Sequence, residues 1–325
     1  MRVVITGITG FVGSHLVDYV LANHPESTIY GLVRWRSPMD NLEHIPSDKL
    51  NLYYGDLTDL SSLIRILKET RPDVIFHLAA QSFVPTSFNA PTDTLQTNII
   101  GTTNLLESVR ICGIDPIIHI CSSSEVYGQV REDEVPIKED CPLRPASPYA
   151  VGKVGEDMIA FQYWLSYGIK TIRTRMFTHT GPRRGKVFVV SAFARQIALI
   201  EKEKQEPVLK VGNLESVRTF SDVRDAVRAY WLLVNKCKPG EVYNVGGIRS
   251  MKIRKMLDML LDISSIRERV EIIVDPKLLR PSDVTLQIPD CSKFEKLTGW
   301  KPEIKFEKTL KDTLDYWRDY FKREK

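Results

Sequence analysis

The sequence is sparing with cysteine, and what it has is poorly placed for cross-linking. Cys112, Cys121, Cys141, Cys237 and Cys291 are scattered, odd in number and free of CxxC spacing. That argues against a disulfide framework or a zinc site and fits a reducing, cytoplasmic setting. No uninterrupted apolar run approaches the roughly 18 residues of a membrane-spanning helix. The N-terminus has neither the basic region nor the apolar core of a secretory signal. Dense charge of one sign is missing as well: net charge is +4 over 325 residues, and runs such as Glu201-Lys202-Glu203-Lys204 and Lys322-Arg323-Glu324-Lys325 are mixed or short. They read as solvated helix faces, not a nucleic-acid footprint. The six histidines show no paired spacing, so no metal is expected, and His77 in Ile75-Phe76-His77-Leu78 reads as a strand-end structural residue. Repeats and low-complexity tracts are absent too. What remains is 43% hydrophobic and 26% charged, a globular chain long enough for one large domain or two unequal ones.

The first pattern present is at the N-terminus. An apolar β-branched run over residues 2–6 leads into Gly7, Gly10 and Gly13, and then into an apolar-periodic segment through Val17, Val20 and Leu21. A strand, a glycine turn and a helix in this order let the backbone approach a phosphate at a helix N-terminus, the arrangement of a dinucleotide site. The next strand, Thr28–Val33, ends where an acidic side chain would meet the ribose 2′-hydroxyl of NAD. Here the chain offers Arg34-Trp35-Arg36-Ser37 instead. Two guanidiniums and no acid suit a 2′-phosphate, so NADP is preferred. Strand-like runs recur at Leu52–Tyr54, Val74–Phe76, Ile117–Ile120 and Thr171–Thr174, separated by helical segments such as Leu60–Lys68 and Thr94–Val109. This alternation predicts a doubly wound α/β fold with a parallel sheet and ligands at the strands' carboxyl ends. Gly55-Asp56-Leu57 and Leu78-Ala79-Ala80 fall there and are candidate cofactor walls.

Two further patterns carry chemistry. Tyr149 and Lys153 stand four residues apart, on one face of a helix. A phenol with a reference pKa near 10 is a poor base at neutral pH unless a nearby cation favours its phenolate, and Lys153 supplies one. Upstream, Ile117–Ile120 runs into Cys121-Ser122-Ser123-Ser124-Glu125, placing hydroxyls and a carboxylate at a strand end. After residue 178 glycine, proline and charge cluster in Gly181-Pro182-Arg183-Arg184-Gly185, and a helix is expected from Ser191 to about Lys204. Val242–Val245 then returns to strand character. These shifts predict a dinucleotide-binding domain over 1–178 and 218–248 and a smaller, discontinuous α/β substrate domain over 179–217 and 249–325.

With these features the chain resembles the extended short-chain dehydrogenase/reductases that modify nucleotide sugars, and within them the GDP-mannose 4,6-dehydratases and the related GDP-4-keto-6-deoxymannose reductases. The resemblance covers nearly the whole chain, including Asn98. Ser123-Ser124-Glu125 is similar to the dehydratases' Thr-Ser-Glu, and Pro182-Arg183-Arg184-Gly185 is dehydratase-like. Ala192–Ile197, Val211-Gly212-Asn213-Leu214 and Leu279-Arg280-Pro281-Ser282-Asp283 look more like the reductases. Thr178 departs from the pattern, since the family usually places an asparagine there.

The resemblance implies a Rossmann domain binding NADP through Gly7, Thr9, Gly10, Phe11, Val12 and Gly13, and through Arg34, Arg36 and the two strand-end walls. It implies a GDP-sugar substrate held by Ser82, Ser123, Ser124 and Glu125, by Thr178 and Val187, and by Arg218 and Arg280 at the diphosphate, where guanidiniums offer forked donors. The implied reaction is an internal redox cycle. Tyr149, held as phenolate by Lys153, removes the C4 hydroxyl proton as hydride leaves C4. Glu125 then takes the C5 proton and helps water leave from C6, and hydride returns to C6. The alternatives are an NADPH-consuming 4-keto reductase, or another dehydratase or epimerase of nucleotide sugars. The family further implies a homodimer or homotetramer, with the Arg183-Arg184 loop contacting either the diphosphate or a neighbouring subunit.

Overall fold

The computed structural model describes residues 1–281, 284 and 286–323. Ser282 and Asp283 of the Arg280 loop, and Glu324 and Lys325 of the terminal charge run, lie outside these described residues. The strands are β1 (Arg2–Thr6), β2 (Thr28–Val33), β3 (Asn51–Tyr54), β4 (Val74–His77), β5 (Ile117–Ser123), β6 (Thr171–Met176), β7 (His179–Thr180), β8 (Val208–Val211), β9 (Val217–Asp222), β10 (Val242–Val245), β11 (Arg249–Lys252), β12 (Glu271–Val274) and β13 (Leu286–Gln287). The helices are α1 (Phe11–Asn23), α2 (Leu60–Thr70), α3 (Val84–Asn89), α4 (Pro91–Leu95), α5 (Gly101–Cys112), α6 (Pro148–Tyr167), α7 (Val189–Glu201), α8 (Val223–Lys236), α9 (Ile253–Asp262), α10 (Ser292–Thr298) and α11 (Phe306–Arg323).

Seven strands form one sheet in the order β3-β2-β1-β4-β5-β6-β10. Every pairing in it is parallel. The chain winds outward from β1 to β3 and then returns to β4 on the other side of β1. That reversal leaves a crevice beyond the carboxyl ends of β1 and β4. Side chains alternate across the sheet, so Val3 and Ile5 pack under α1 and α8, while Val4, Ile75, Ile118 and Ile120 pack under α2, α5 and α6. Both faces are covered, which is why these strands read as nearly unbroken apolar runs.

Where a helix begins decides which side chains reach the crevice. Ser147 caps α6, its hydroxyl accepting from the Ala150 N–H at 3.1 Å, and Pro148 follows at the first helical position. Tyr149 therefore lies in the first turn of α6 and Lys153 one turn on. The single helix expected over Thr94–Val109 is instead α4, a π-helical turn at Gln96–Ile100, and α5. In that turn the Asn98 amide clamps the Gln81 backbone, accepting from its N–H at 2.8 Å and donating to its carbonyl at 3.1 Å. Wide turns of this kind often mark functional sites.

A second apolar cluster joins α7, β8, α9 and α11 through residues such as Phe193, Leu209, Leu260 and Trp317. β9 lies between β11 and β13 and also pairs with β7, and β12 pairs with β8. The boundary expected at residue 218 thus falls inside one strand, β9. Phe294 of α10 and Trp300 pack in the cluster shared by α1, α8 and the seven-stranded sheet.

Candidate active site

A cleft of about 1560 Å³ opens at the carboxyl ends of the sheet, and every residue named above as catalytic, cofactor-binding or substrate-binding lines it. Its floor is the glycine loop. Gly7 has φ +70°, and a Cβ there would come within 2.9 Å of the Ala79 nitrogen. A Cβ on Gly13 would run into the Gly7 carbonyl oxygen. The backbone is this close because α1 starts directly against β1 and β4, leaving a cradle suited to a diphosphate at the helix N-terminus. Thr6 pins the far wall, its hydroxyl accepting from the Leu78 and Ala79 N–H groups at 3.1 Å each. His77, expected as a structural residue, pairs with Thr6 at 2.9 Å and Thr102 at 3.0 Å. Burial, aided by the charge of Lys153, pulls its pKa down to about 3.

Arg34 and Arg36 are exposed just past β2 and line the cleft, with no carboxylate against either among the described residues. Asp56 accepts from the Thr58 N–H at 2.9 Å and from its hydroxyl at 2.8 Å. The residues present fit a dinucleotide: a glycine cradle and a helix N-terminus for its diphosphate, with two exposed guanidiniums just past β2.

At the heart of the cleft β5 delivers Ser123, whose hydroxyl accepts from the Glu125 N–H at 3.2 Å. Ser124 is buried and the Glu125 side chain half-buried. The Ser123 hydroxyl also faces the Tyr149 phenol. Lys153 donates to the Cys121 carbonyl and to Glu156 Oε2, each at 2.8 Å. Burial opposes the charge on Lys153, but Glu156 and then Tyr149 more than offset it and hold the ammonium's pKa above its ordinary value. For Tyr149 the balance goes the other way. Burial pushes the phenol up, and Lys153 and Ser123 lower it without overcoming that push. The lysine acts in the expected direction, yet in the protein alone the phenol keeps its proton.

At the substrate end, β12 runs parallel to β8, so the chain leaving β12 brings Leu278 within 2.9 Å of where a Gly212 Cβ would stand. This delivers Arg280 to the same cleft as Arg218, which sits on β9 opposite Met251. The Thr178 carbonyl accepts from Ser221 at 3.0 Å, while Val187 and Ser82 are exposed on the rim. Arg183 turns back onto its own chain, reaching Asp18 at 2.5 Å and the Asn41 carbonyl at 3.3 Å. Arg184 lies 3.7 Å from the ring centre of Phe188 and 4.8 Å from that of Phe11, and burial lowers its pKa to about 10.

Arg195 and Lys210 also line the cleft, and sequence reasoning did not single them out. Arg195 falls inside the reductase-like stretch Ala192–Ile197 and Lys210 directly precedes Val211-Gly212-Asn213-Leu214, so the signal lay in those stretches and not in the cations themselves. Glu156 was missed too, although its three-residue offset from Lys153 was visible.

The strand order and the Ser123–Tyr149–Lys153 arrangement define the class as an extended short-chain dehydrogenase/reductase. A solved structure of RMD from Pseudomonas aeruginosa complexed with NADPH superposes with TM-score 0.84 at 33% identity, covering 98% of this chain and 99% of that one. The chain belongs to the GDP-mannose 4,6 dehydratase family, whose model matches residues 4–313. It is similar to GDP-6-deoxy-D-mannose reductase of Pseudomonas aeruginosa, at 34% identity over 99% of both chains. It is also similar to GDP-mannose 4,6 dehydratase 1 of Arabidopsis thaliana, at 34% identity over 99% of this chain and 91% of the relative.

Proposed function

We propose that the protein is an NADP-dependent lyase that converts GDP-mannose to GDP-4-keto-6-deoxymannose. The observation that carries this reading is Glu125 in the same cleft as Ser123, Tyr149 and Lys153, a carboxylate beside a redox pair. A nicotinamide dinucleotide supplies the hydride acceptor and donor. The glycine loop holds its diphosphate and Arg34 and Arg36 its 2′-phosphate, a preference in line with the NADPH complex of the Pseudomonas structure. Lys153 favours the phenolate of Tyr149, whose Oη takes the proton of the sugar's C4 hydroxyl. Ser123 Oγ hydrogen-bonds the C4 oxygen as charge develops there. Glu125 then removes the C5 proton and returns it to the hydroxyl departing from C6. Steps of this kind each contribute about a hundred- to ten-thousand-fold. Arg218 and Arg280, with Arg195 and Lys210 nearby in the lining, form the diphosphate end.

Turnover of GDP-mannose with catalytic NADP+ tests this: a 4-keto-6-deoxy product without net NADPH change is expected. No product, together with NADPH oxidation on the 4-keto sugar, would establish the reductase reading instead, which the 34% identical Pseudomonas reductase favours. Inactivity on both would point to another nucleotide sugar or a non-catalytic role.

A homodimer or homotetramer is part of the same reading. Val151, Met158 and Leu165 of α6 are 43%, 39% and 67% exposed at seven-residue intervals, a stripe suited to a second helix pair. Light scattering on the purified protein decides it. The cytoplasm is the proposed compartment, in keeping with five free cysteines and no helix among the described residues long and apolar enough to cross a membrane.

A further inference from the structure

We infer that Glu156 is the counter-ion that positions Lys153 and sets the pH range over which the Tyr149–Lys153 pair works, a positioning residue acting through the lysine. The inference rests on reading Tyr149 and Lys153 as the redox pair.

One turn of α6 places Glu156 against Lys153, with 2.8 Å between Nζ and Oε2 and side-chain exposures of 6% and 1%. An ammonium so far from water needs an opposing charge. The other acceptor it reaches, the Cys121 carbonyl, carries only a dipole. Neighbouring Asp157 is committed elsewhere, to Arg173 and Arg175 at 2.9 Å each. The second Glu156 oxygen, Oε1, is buried with no hydrogen-bond partner among the described residues.

The groups facing this pair come from every packed element. Tyr149 and Asp157 lie on α6, Cys121 and His119 on β5 and His77 on β4; Glu125 after β5, Arg184 in the loop before α7 and Tyr230 of α8 act on Tyr149, while Arg173 and Arg175 of β6 reach Asp157. Burial leaves both histidines neutral, at about 3. Glu156 is thus the carboxylate hydrogen-bonded to Lys153. Burial pushes it up to about 7, against the pull of the ammonium. A carboxylate that close raises both Lys153 and Tyr149. Removing its charge lowers both, so the acid and alkaline limbs of activity move the same way.

The test compares kcat/KM against pH for the wild type and Glu156→Gln, which keeps an acceptor for Nζ but no charge. Both limbs are expected to move to lower pH by about one unit, the usual effect of one nearby charge. Superimposable profiles would overturn the inference and leave Glu156 a space-filling side chain. A second readout needs no turnover: pH-difference infrared spectra of the wild type and of Lys153→Met. A protonated carboxyl band should fade as the pH of the wild type rises through about 7, and persist to higher pH without the lysine. A carboxyl band that titrates at the same pH with and without the lysine would overturn the inference even where the Gln variant does not fold. Inactivity of the wild type on either sugar would sink the redox reading and leave the infrared result standing on its own.

Discussion

Asp157 stands next to Glu156 on α6 and binds both Arg173 and Arg175, at 2.9 Å each, while Glu156 is the carboxylate that pairs with Lys153. Two adjacent acids of one helix are thereby split between β6, where the cations are structural, and the cleft, where the cation is chemical. Asp157→Asn should leave two buried guanidiniums short of charge. Breaking a buried pair in this way costs about 3–5 kcal/mol. Urea unfolding at neutral pH measures it, and a loss below about 1 kcal/mol would mean that the neighbouring carbonyls suffice.

Gly13→Ala tests the cradle. The added methyl meets the Gly7 carbonyl, which cannot move without moving the loop. NADPH affinity, followed by fluorescence, should fall by more than about tenfold while the chain stays folded, since binding depends on backbone placement.

Arg34→Ala and Arg36→Ala address cofactor choice. A hydrogen bond to a charged group is worth about 1.5–3 kcal/mol, or roughly ten- to a hundredfold in affinity. That loss is expected for NADPH and not for NADH. Equal effects on both would place the arginines away from the 2′-phosphate.

Glu125→Gln separates the steps. Dehydration should drop by about a hundredfold or more with NADPH affinity unchanged. Retained dehydration would show that another group takes the C5 proton.

Stability should fall on the acid side because His77, His119 and His179 are held neutral by burial, each at about 3. Each takes a proton readily only once the chain unfolds, so the unfolded state gains as pH drops below about 6.5, at up to 1.4 kcal/mol per pH unit per group. Urea midpoints at pH 7.5 and pH 5 check this; equal midpoints would refute it. Above about pH 7 these three groups contribute no further slope.

Much of the site could be read before folding because its parts are local. Gly7, Gly10 and Gly13 lie within one turn of chain, and Tyr149 and Lys153 within one turn of helix, so spacing alone fixes their relation. Glu156 has the same kind of spacing from Lys153, yet on sequence a lysine and a glutamate three apart look like a solvated surface pair. What distinguishes them is that α6 packs against both the sheet and α5, which buries this side of the helix. The π-turn at Asn98 was hidden for a similar reason: it is accompanied by hydrogen bonds to Gln81, 17 residues away.

The sequence by itself determined the alternation of strand and helix, the phosphate cradle and the redox pair, since each follows from backbone freedom or periodicity over a few residues. Only the tertiary structure decided which charges meet. It turned Arg183 back to Asp18, brought Arg218 and Arg280 into one cleft by pairing β12 with β8, and dried the surroundings of Lys153. Burial and charge pairing depend on distances between remote segments, and those exist only once the sheet has closed.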